Sequence, residues 1–295
     1  MPEIEGAGVA LHYEERGDGT PLLIVHGMAS DAAAWSAALD ALAGAGARAI
    51  AYDRRGYGAS GTPQPYVGTT VQEQAEDAAA LLDALGAAPA VLVGDGFGAL
   101  VVLDLLVRRP QLAIAAVLAD PPLFAFVAEA TKALAAERSL LEQGLREGGP
   151  AHAIEAWLGA AAQQGSLEPT KAAPPGAPGD PRRLEPPEAA PLGAPGDPGR
   201  LEPTKAAPPG APADPGRLER AKASPLGFFA DYAGQASWSP SRRELRGIAV
   251  AVALVTGPRS AAHTVAAADA AAALIPGARR SSDGDAIAAA LTLLR

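Results

Sequence analysis

The chain of 295 residues contains no cysteine. That excludes disulfides, thiolate metal sites and a cysteine nucleophile together, while leaving the compartment open, since such a chain suits a reducing cytoplasm and an export route equally. Histidine is scarce: His12, His26, His152 and His263 are the only four, and no pair has a metal-ligand spacing such as H-x3-H. No Lys/Arg run exceeds a dipeptide, and 24 basic residues face 33 acidic ones for a net charge of −9. Nucleic acid and anionic membrane surfaces are therefore not expected partners. Met1-Pro2-Glu3-Ile4-Glu5 has neither a basic nor an apolar region, so no signal peptide is expected. No apolar run reaches the length of about 18 residues that a membrane span needs, the Ala-rich stretch from Ala261 to Ile275 coming nearest. The expectation is a soluble, cytoplasmic protein.

What is present is enough apolar material for a sizeable core, 48% hydrophobic against 19% charged residues. Short apolar runs alternate with amphipathic segments, the pattern of a mostly parallel sheet covered by helices. Strands are expected at Val9–Glu14, Leu22–Val25, Ala49–Tyr52, Ala90–Val93, Ile114–Leu118 and Ile248–Val255, with a turn at Gly17-Asp18-Gly19. Helices are expected at Val71–Leu85, Leu100–Arg108 (stopped by Pro110), Ala266–Leu274 and Ala286–Leu294.

Between Ser166 and Arg220 the composition changes to 15 Pro and 7 Gly in 55 residues. Leu-Glu recurs at Leu167, Leu184, Leu201 and Leu218, a spacing of 17, and three copies follow the pattern LEPTKAAPPGAPGDPGR. A unit with so few apolar residues and so many prolines cannot bury a face as a solenoid repeat must. A disordered or polyproline-like tether is expected, the alternative being a Pro-motif docking site for a protein partner. The degenerate fourth copy, LERAKASPLGFFAD from Leu218 to Asp231, carries Phe228 and Phe229 and reads as the original, core-packed segment.

Three motifs carry a family resemblance. They are Leu22-Leu23-Ile24-Val25-His26-Gly27 with Trp35 beyond it, Asp53-Arg54-Arg55-Gly56-Tyr57-Gly58-Ala59-Ser60, and Val91-Leu92-Val93-Gly94-Asp95-Gly96-Phe97-Gly98-Ala99. In this order and spacing the chain resembles the α/β-hydrolase superfamily, in its lidded branch of esterases, haloperoxidase-like proteins and C–C hydrolases. The resemblance implies a doubly wound, mostly parallel α/β sheet, a helical lid and a nucleophile elbow at the third motif. The organisation it implies is an N-terminal core part over 1–127, a lid region over 128–237 holding the repeats at about 167–220, and a C-terminal core part over 238–295. No cofactor is implied. A small-molecule ligand or substrate is the expected partner.

Against that pattern the chemistry is missing. An elbow turns a strand into a helix in about five residues, so small residues must flank an exposed apex. Gly94 and Gly98 are the flanks and Gly96 the apex, where the family places Ser, Asp or Cys; glycine supplies no nucleophile. Moving the apex to Asp95 would put bulky Val93 and Phe97 at the flanks. The catalytic His is expected near Asp285, in Ser281-Ser282-Asp283-Gly284-Asp285, which has none. The acid is expected after Val255, where the chain reads Thr256-Gly257-Pro258-Arg259-Ser260. His26 is expected to shape the oxyanion loop. Backbone N–H groups of Met28 and Phe97 would form an oxyanion hole, so His26, Gly27, Met28, Gly96 and Phe97 are the candidate ligand-binding residues. Asp95, Asp120 and Asp285 are the candidate acid/base residues. Asp53 and Arg55 read as a structural loop pair.

The leading expectation is a family member that has lost serine-hydrolase chemistry, a pseudoenzyme or small-molecule binding protein using the inherited pocket. One alternative is a non-hydrolytic acid/base enzyme (cyclase, lyase or isomerase) acting on a small carbonyl-containing metabolite. A second is an ester hydrolase with a relocated nucleophile, for which Ser30 and Ser60 are candidates.

Overall fold

A computed structural model describes residues 2–66, 68–164 and 216–294. Eight strands form one sheet in the order β1-β2-β4-β3-β5-β6-β7-β8. In chain order they are β1 (Glu3–Glu5), β2 (Ala10–Arg16), β3 (Thr20–Val25), β4 (Ala47–Tyr52), β5 (Ala90–Asp95), β6 (Ala113–Ala119), β7 (Ala251–Val255) and β8 (Arg279–Ser281). β1 and β2 pair antiparallel, and all pairings from β4 to β8 are parallel.

Successive side chains of a strand point to opposite faces, so a parallel strand covered on both sides is apolar throughout. β3 illustrates it. Leu22 and Ile24 pack with Trp35, Leu39 and Leu42 on one face, while Leu23 and Val25 pack with Leu81, Leu100 and Leu103 on the other. Helices α1 (Ser36–Gly44) and α9 (Ala286–Leu293) cover the first face; α2 (Val71–Ala84), α3 (Phe97–Arg108) and α8 (Ala262–Ala272) cover the second. α2 starts where expected because Thr70 and Glu73 close a capping box: Glu73 N–H donates to Thr70 Oγ1 (3.1 Å) and Thr70 N–H to Glu73 Oε2 (2.8 Å).

Three boundaries move by three residues or more. α3 begins at Phe97 rather than Leu100, since the elbow feeds straight into it, and α8 begins at Ala262 rather than Ala266. β7 begins at Ala251, because Arg242–Arg246 forms a short helix α7 and the chain reaches the sheet only after it.

A third apolar cluster lies beyond the sheet. It joins Ala29 to α4 (Ala130–Gln164, broken at Gly149-Pro150), α5 (Arg217–Ala223) and α6 (Pro225–Ser237) through Leu141, Ile154, Ala221 and Phe228. Phe228 is fully buried, with Trp157 and Phe229 edge-on to it, as the fourth repeat copy suggested. Gly227 lies where a Cβ would stand 2.6 Å from the Gly56 carbonyl oxygen, so α6 sits on the second motif through a glycine. The expected tether over 167–220 falls outside the described residues as far as 215. Its last residues are a correction: Arg217–Arg220 are helical, part of α5. No helix among the described residues is long and apolar enough to cross a membrane.

Candidate active site

β5 ends at Asp95, and Gly96 (φ 51°, ψ −117°) turns the chain into α3. Gly96 N–H donates to the Ala119 carbonyl (2.9 Å), tying the turn to β6. The flanking glycines are sterically required: a Cβ at Gly94 would lie 2.5 Å from Gly98 O, and one at Gly98 would lie 2.0 Å from Val25 O. The apex differs, because a Cβ on Gly96 would meet nothing nearer than Gly27 Cα at 3.8 Å. The elbow is thus built to its full geometry around a position that has room for a side chain and carries none.

His26 is fully buried. Its Nε2 accepts the Arg54 N–H (3.1 Å), which leaves the proton on Nδ1 to be donated to Gly27 O (2.8 Å). Burial, reinforced by the Arg54 charge, lowers its pKa well below the usual histidine value, so the ring is neutral and holds the loop as expected. Arg54 extends the hold. Its Nη2 donates to Gly27 O (3.1 Å) and to Asp231 Oδ2 (2.6 Å), and its Nη1 donates to Gln74 Oε1 (2.6 Å). Tyr57 O–H (2.7 Å) and Gln74 Nε2 (2.7 Å) also donate to Asp231, so the carboxylate on α6 is saturated and wholly buried. Sequence reasoning missed this network; the signal available was the Asp at the end of the fourth repeat copy, which no local pattern connects to Arg54.

Gly27, Met28, Gly96 and Phe97 line a cavity of about 480 Å³ above the elbow, roofed by α4 and α5 residues such as Trp157, Leu158 and Leu218. The first N–H groups of α3 have no acceptor within the helix and join its positive dipole end at this cavity. A smaller cavity of about 320 Å³ adjoins it, and Asp95, Asp120, Arg259 and Ser260 line both.

Asp95 and Asp120 are brought together because Asp95 pairs with Ala119 across β5 and β6. Desolvation, then the Asp120 charge, pushes the Asp95 carboxyl up to about 7, against the opposing fields of Arg217 and Arg54. Burial also raises Asp120, while a hydrogen bond from Ser260 Oγ (2.5 Å) and the Arg280 charge oppose the rise. Asp120 has φ 43°, an uncommon value for a residue other than glycine, with its N–H donated to Val255 O (2.9 Å).

Other candidates lie elsewhere. Asp285 caps α9 and lines neither cavity: it is exposed, its Oδ1 accepts the Ala288 N–H (2.7 Å), and Asp283 and Gly284 are the residues of that loop that line the smaller cavity. Ser60 donates to Asp53 O (2.5 Å) and accepts the His12 N–H, and neither Ser60 nor Ser30 lines the main cavity. Ser260, in the stretch where an acid was expected, does line it. Asp53 and Arg55 do not pair with each other. Asp53 accepts the Ala32 and Ala59 N–H groups (2.8 Å each), and Arg55 binds Asp77 (2.6 Å). Of the four histidines only His263 lines the main cavity, its ring edge-on to Phe124 and its pKa lowered by burial.

A parallel sheet of this order, a glycine-flanked strand-turn-helix elbow and a His-Gly loop facing it through Arg54 agree with the family model for the alpha/beta hydrolase fold, which matches residues 20–164. The chain belongs to the α/β-hydrolase superfamily. Over 109 residues it is 39% identical to an epoxide hydrolase of Caballeronia sordidicola, covering 37% of this chain and 33% of that protein. Over 112 residues it is 36% identical to a putative carbamate hydrolase of Azorhizobium caulinodans, covering 38% and 41%. The match thus spans well under half the length of either relative. An α/β hydrolase structure from Sphaerobacter thermophilus superposes over 100% of both chains with a TM-score of 0.67 at 19% identity, a likeness of fold.

Proposed function

We propose that this α/β-hydrolase-fold protein binds a small carbonyl- or carboxylate-bearing molecule over Gly96, beneath α4–α6 acting as a lid, and does not run serine hydrolysis at the elbow. The observation that carries the reading is the apex itself: a complete elbow with space for a side chain and a glycine in that space. Two further features support it. The loop where a base was expected offers Asp283 and Gly284 instead, and Ser260 stands in the stretch where an acid was expected. The names of the relatives describe hydrolysis of epoxides and carbamates, and that chemistry needs a nucleophile or activated water that Gly96 does not supply.

The test uses two measurements on the full chain. Turnover of short and medium-chain aryl esters should not exceed that of heat-denatured protein. Pyruvate and cyclopentanone should show saturation-transfer NMR signals that vanish in Gly159→Trp. Gly159 is an exposed residue that lines the main cavity, and a Cβ there meets nothing within 4 Å, so an indole can be accommodated at the cavity's rim without a clash at its Cβ. Ester turnover by the unmodified chain, or ligand signals unchanged by Gly159→Trp, would overturn the reading.

An acid/base enzyme is the second reading. It is favoured by the carboxyl of Asp95, which titrates near neutrality beside Asp120.

A further inference from the structure

We infer that Asp95 is a proton-transfer residue that, partnered by Asp120, isomerises a bound unsaturated ketone through its enolate. This rests on the carbonyl-binding reading above and adds a reaction to it.

Three observations meet at one place. Asp95 is the last residue of β5 and Asp120 the first beyond β6, at the ends of adjacent strands about 4.8 Å apart, and both residues line the two adjoining cavities. Ser260 Oγ donates to Asp120 at 2.5 Å and in turn accepts the Gly257 N–H at 2.8 Å, which holds the second carboxylate in place beside the first. Trp35, 1% exposed, lines the smaller cavity with Asp95 and Asp120, and its indole N–H has no acceptor among the described residues. A buried donor without an acceptor marks a place suited to a polar ligand atom.

The chemistry uses these carboxyls together with the backbone N–H groups of Met28 and Phe97, which line the main cavity beside Asp95. A ketone oxygen accepts from the Met28 and Phe97 N–H groups. The Asp95 carboxylate takes the α-proton of a β,γ-unsaturated ketone: the C–H bond breaks, an O–H bond forms on Asp95, and the electron pair moves to leave negative charge on the ketone oxygen. Asp95 then returns the proton to the γ-carbon, giving the conjugated enone. Atoms and electrons balance without an oxidant or reductant. Backbone donors stabilise the enolate where its charge develops. The groups facing Asp95 are Asp120 beyond β6, Arg217 on α5, Arg54 beyond β4 and the Gly27 N–H. Their sum, with burial, leaves Asp95 shared between acid and base at neutral pH, the condition under which general catalysis is most efficient.

The experiment incubates the full chain with cyclohex-3-en-1-one, follows the absorbance of the conjugated product, and records binding of the same ketone by saturation-transfer NMR. The expected result is isomerisation above heat-denatured protein, rising with pH through a midpoint near 7. Asp95→Asn should lower the rate on the order of 100-fold with the NMR signal retained. Asp120→Asn should move the midpoint to lower pH, a shift that a merely structural role would not produce. Binding without isomerisation, isomerisation that survives Asp95→Asn, or a midpoint indifferent to Asp120→Asn overturns the inference and leaves the cavity reading standing. Absence of binding overturns both.

Discussion

The two walls of the main cavity follow different rules. One wall comes from the first half of the chain, the loop His26-Gly27-Met28 and the elbow Gly94–Gly98, where backbone approaches backbone so closely that glycine is the only residue that fits at Gly94 and Gly98. The other wall includes the loops after β6 and β7, which contribute Asp120 and Ser260, while Asp283 after β8 lines only the adjoining smaller cavity. The first wall is set by backbone geometry and the second by its side chains. Close backbone packing is required for the sheet to close at all, whereas a catalytic side chain is required only for its reaction, so the two can part company within one cavity.

The sharpest break of this contrast is at the link between halves. Replacing Asp231 with Leu leaves Arg54 buried and uncompensated, and should cost about 3–5 kcal/mol, measured by chemical denaturation; a loss below about 1 kcal/mol would mean that the pair is not the tie it looks to be. On the first wall, Gly98→Ala drives a Cβ to 2.0 Å from Val25 O and should cost about 3 kcal/mol, whereas a tolerated substitution would show that the elbow is not sterically fixed. Gly96→Ser sharpens the comparison, since the same wall should accept it with a cost of only about 1–2 kcal/mol from its positive φ and no gain of ester turnover, His263 being packed against Phe124. The last effect is one of pH. Asp95 has a folded pKa of about 7, above its unfolded value, so its contribution to stability is fully present below about pH 4 and is lost as pH rises through about 7. Asp95→Asn should therefore be more stable than the unmodified chain at pH 8 and gain nothing at pH 4, in paired denaturation curves.

Much of the first wall was legible in the chain because its constraints are local. Gly94, Gly96 and Gly98 fall within five residues, and their spacing already dictates a strand that turns at once into a helix. His26 was legible as a loop-shaping residue for the same reason: its partner, Gly27 O, is one residue away. The second wall was less so. A catalytic base was expected near Asp285, yet the Asp285 oxygen is bound to Ala288 N–H and the loop presents Asp283 and Gly284 to the smaller cavity, a difference of one or two residues that composition cannot register. Ser260 was read only as the absence of an acid, because its partner Asp120 is 140 residues away. Arg54 had no role assigned inside the second motif, because its ion pair with Asp231 spans 177 residues.

The order of apolar runs and the placement of glycines by themselves determined the sheet, its two covered faces and the elbow, since burial periodicity and backbone sterics act over a few residues and leave their mark in the pattern. Tertiary structure alone decided that Asp95 and Asp120 share a cavity, that Ser260 holds Asp120, that Asp285 is a cap and that Arg54 locks α6 to the His26-Gly27 loop. Those outcomes depend on which strand ends lie side by side and which carboxylates lose their water, and electrostatic coupling of that kind acts through space, between residues that the chain itself keeps far apart.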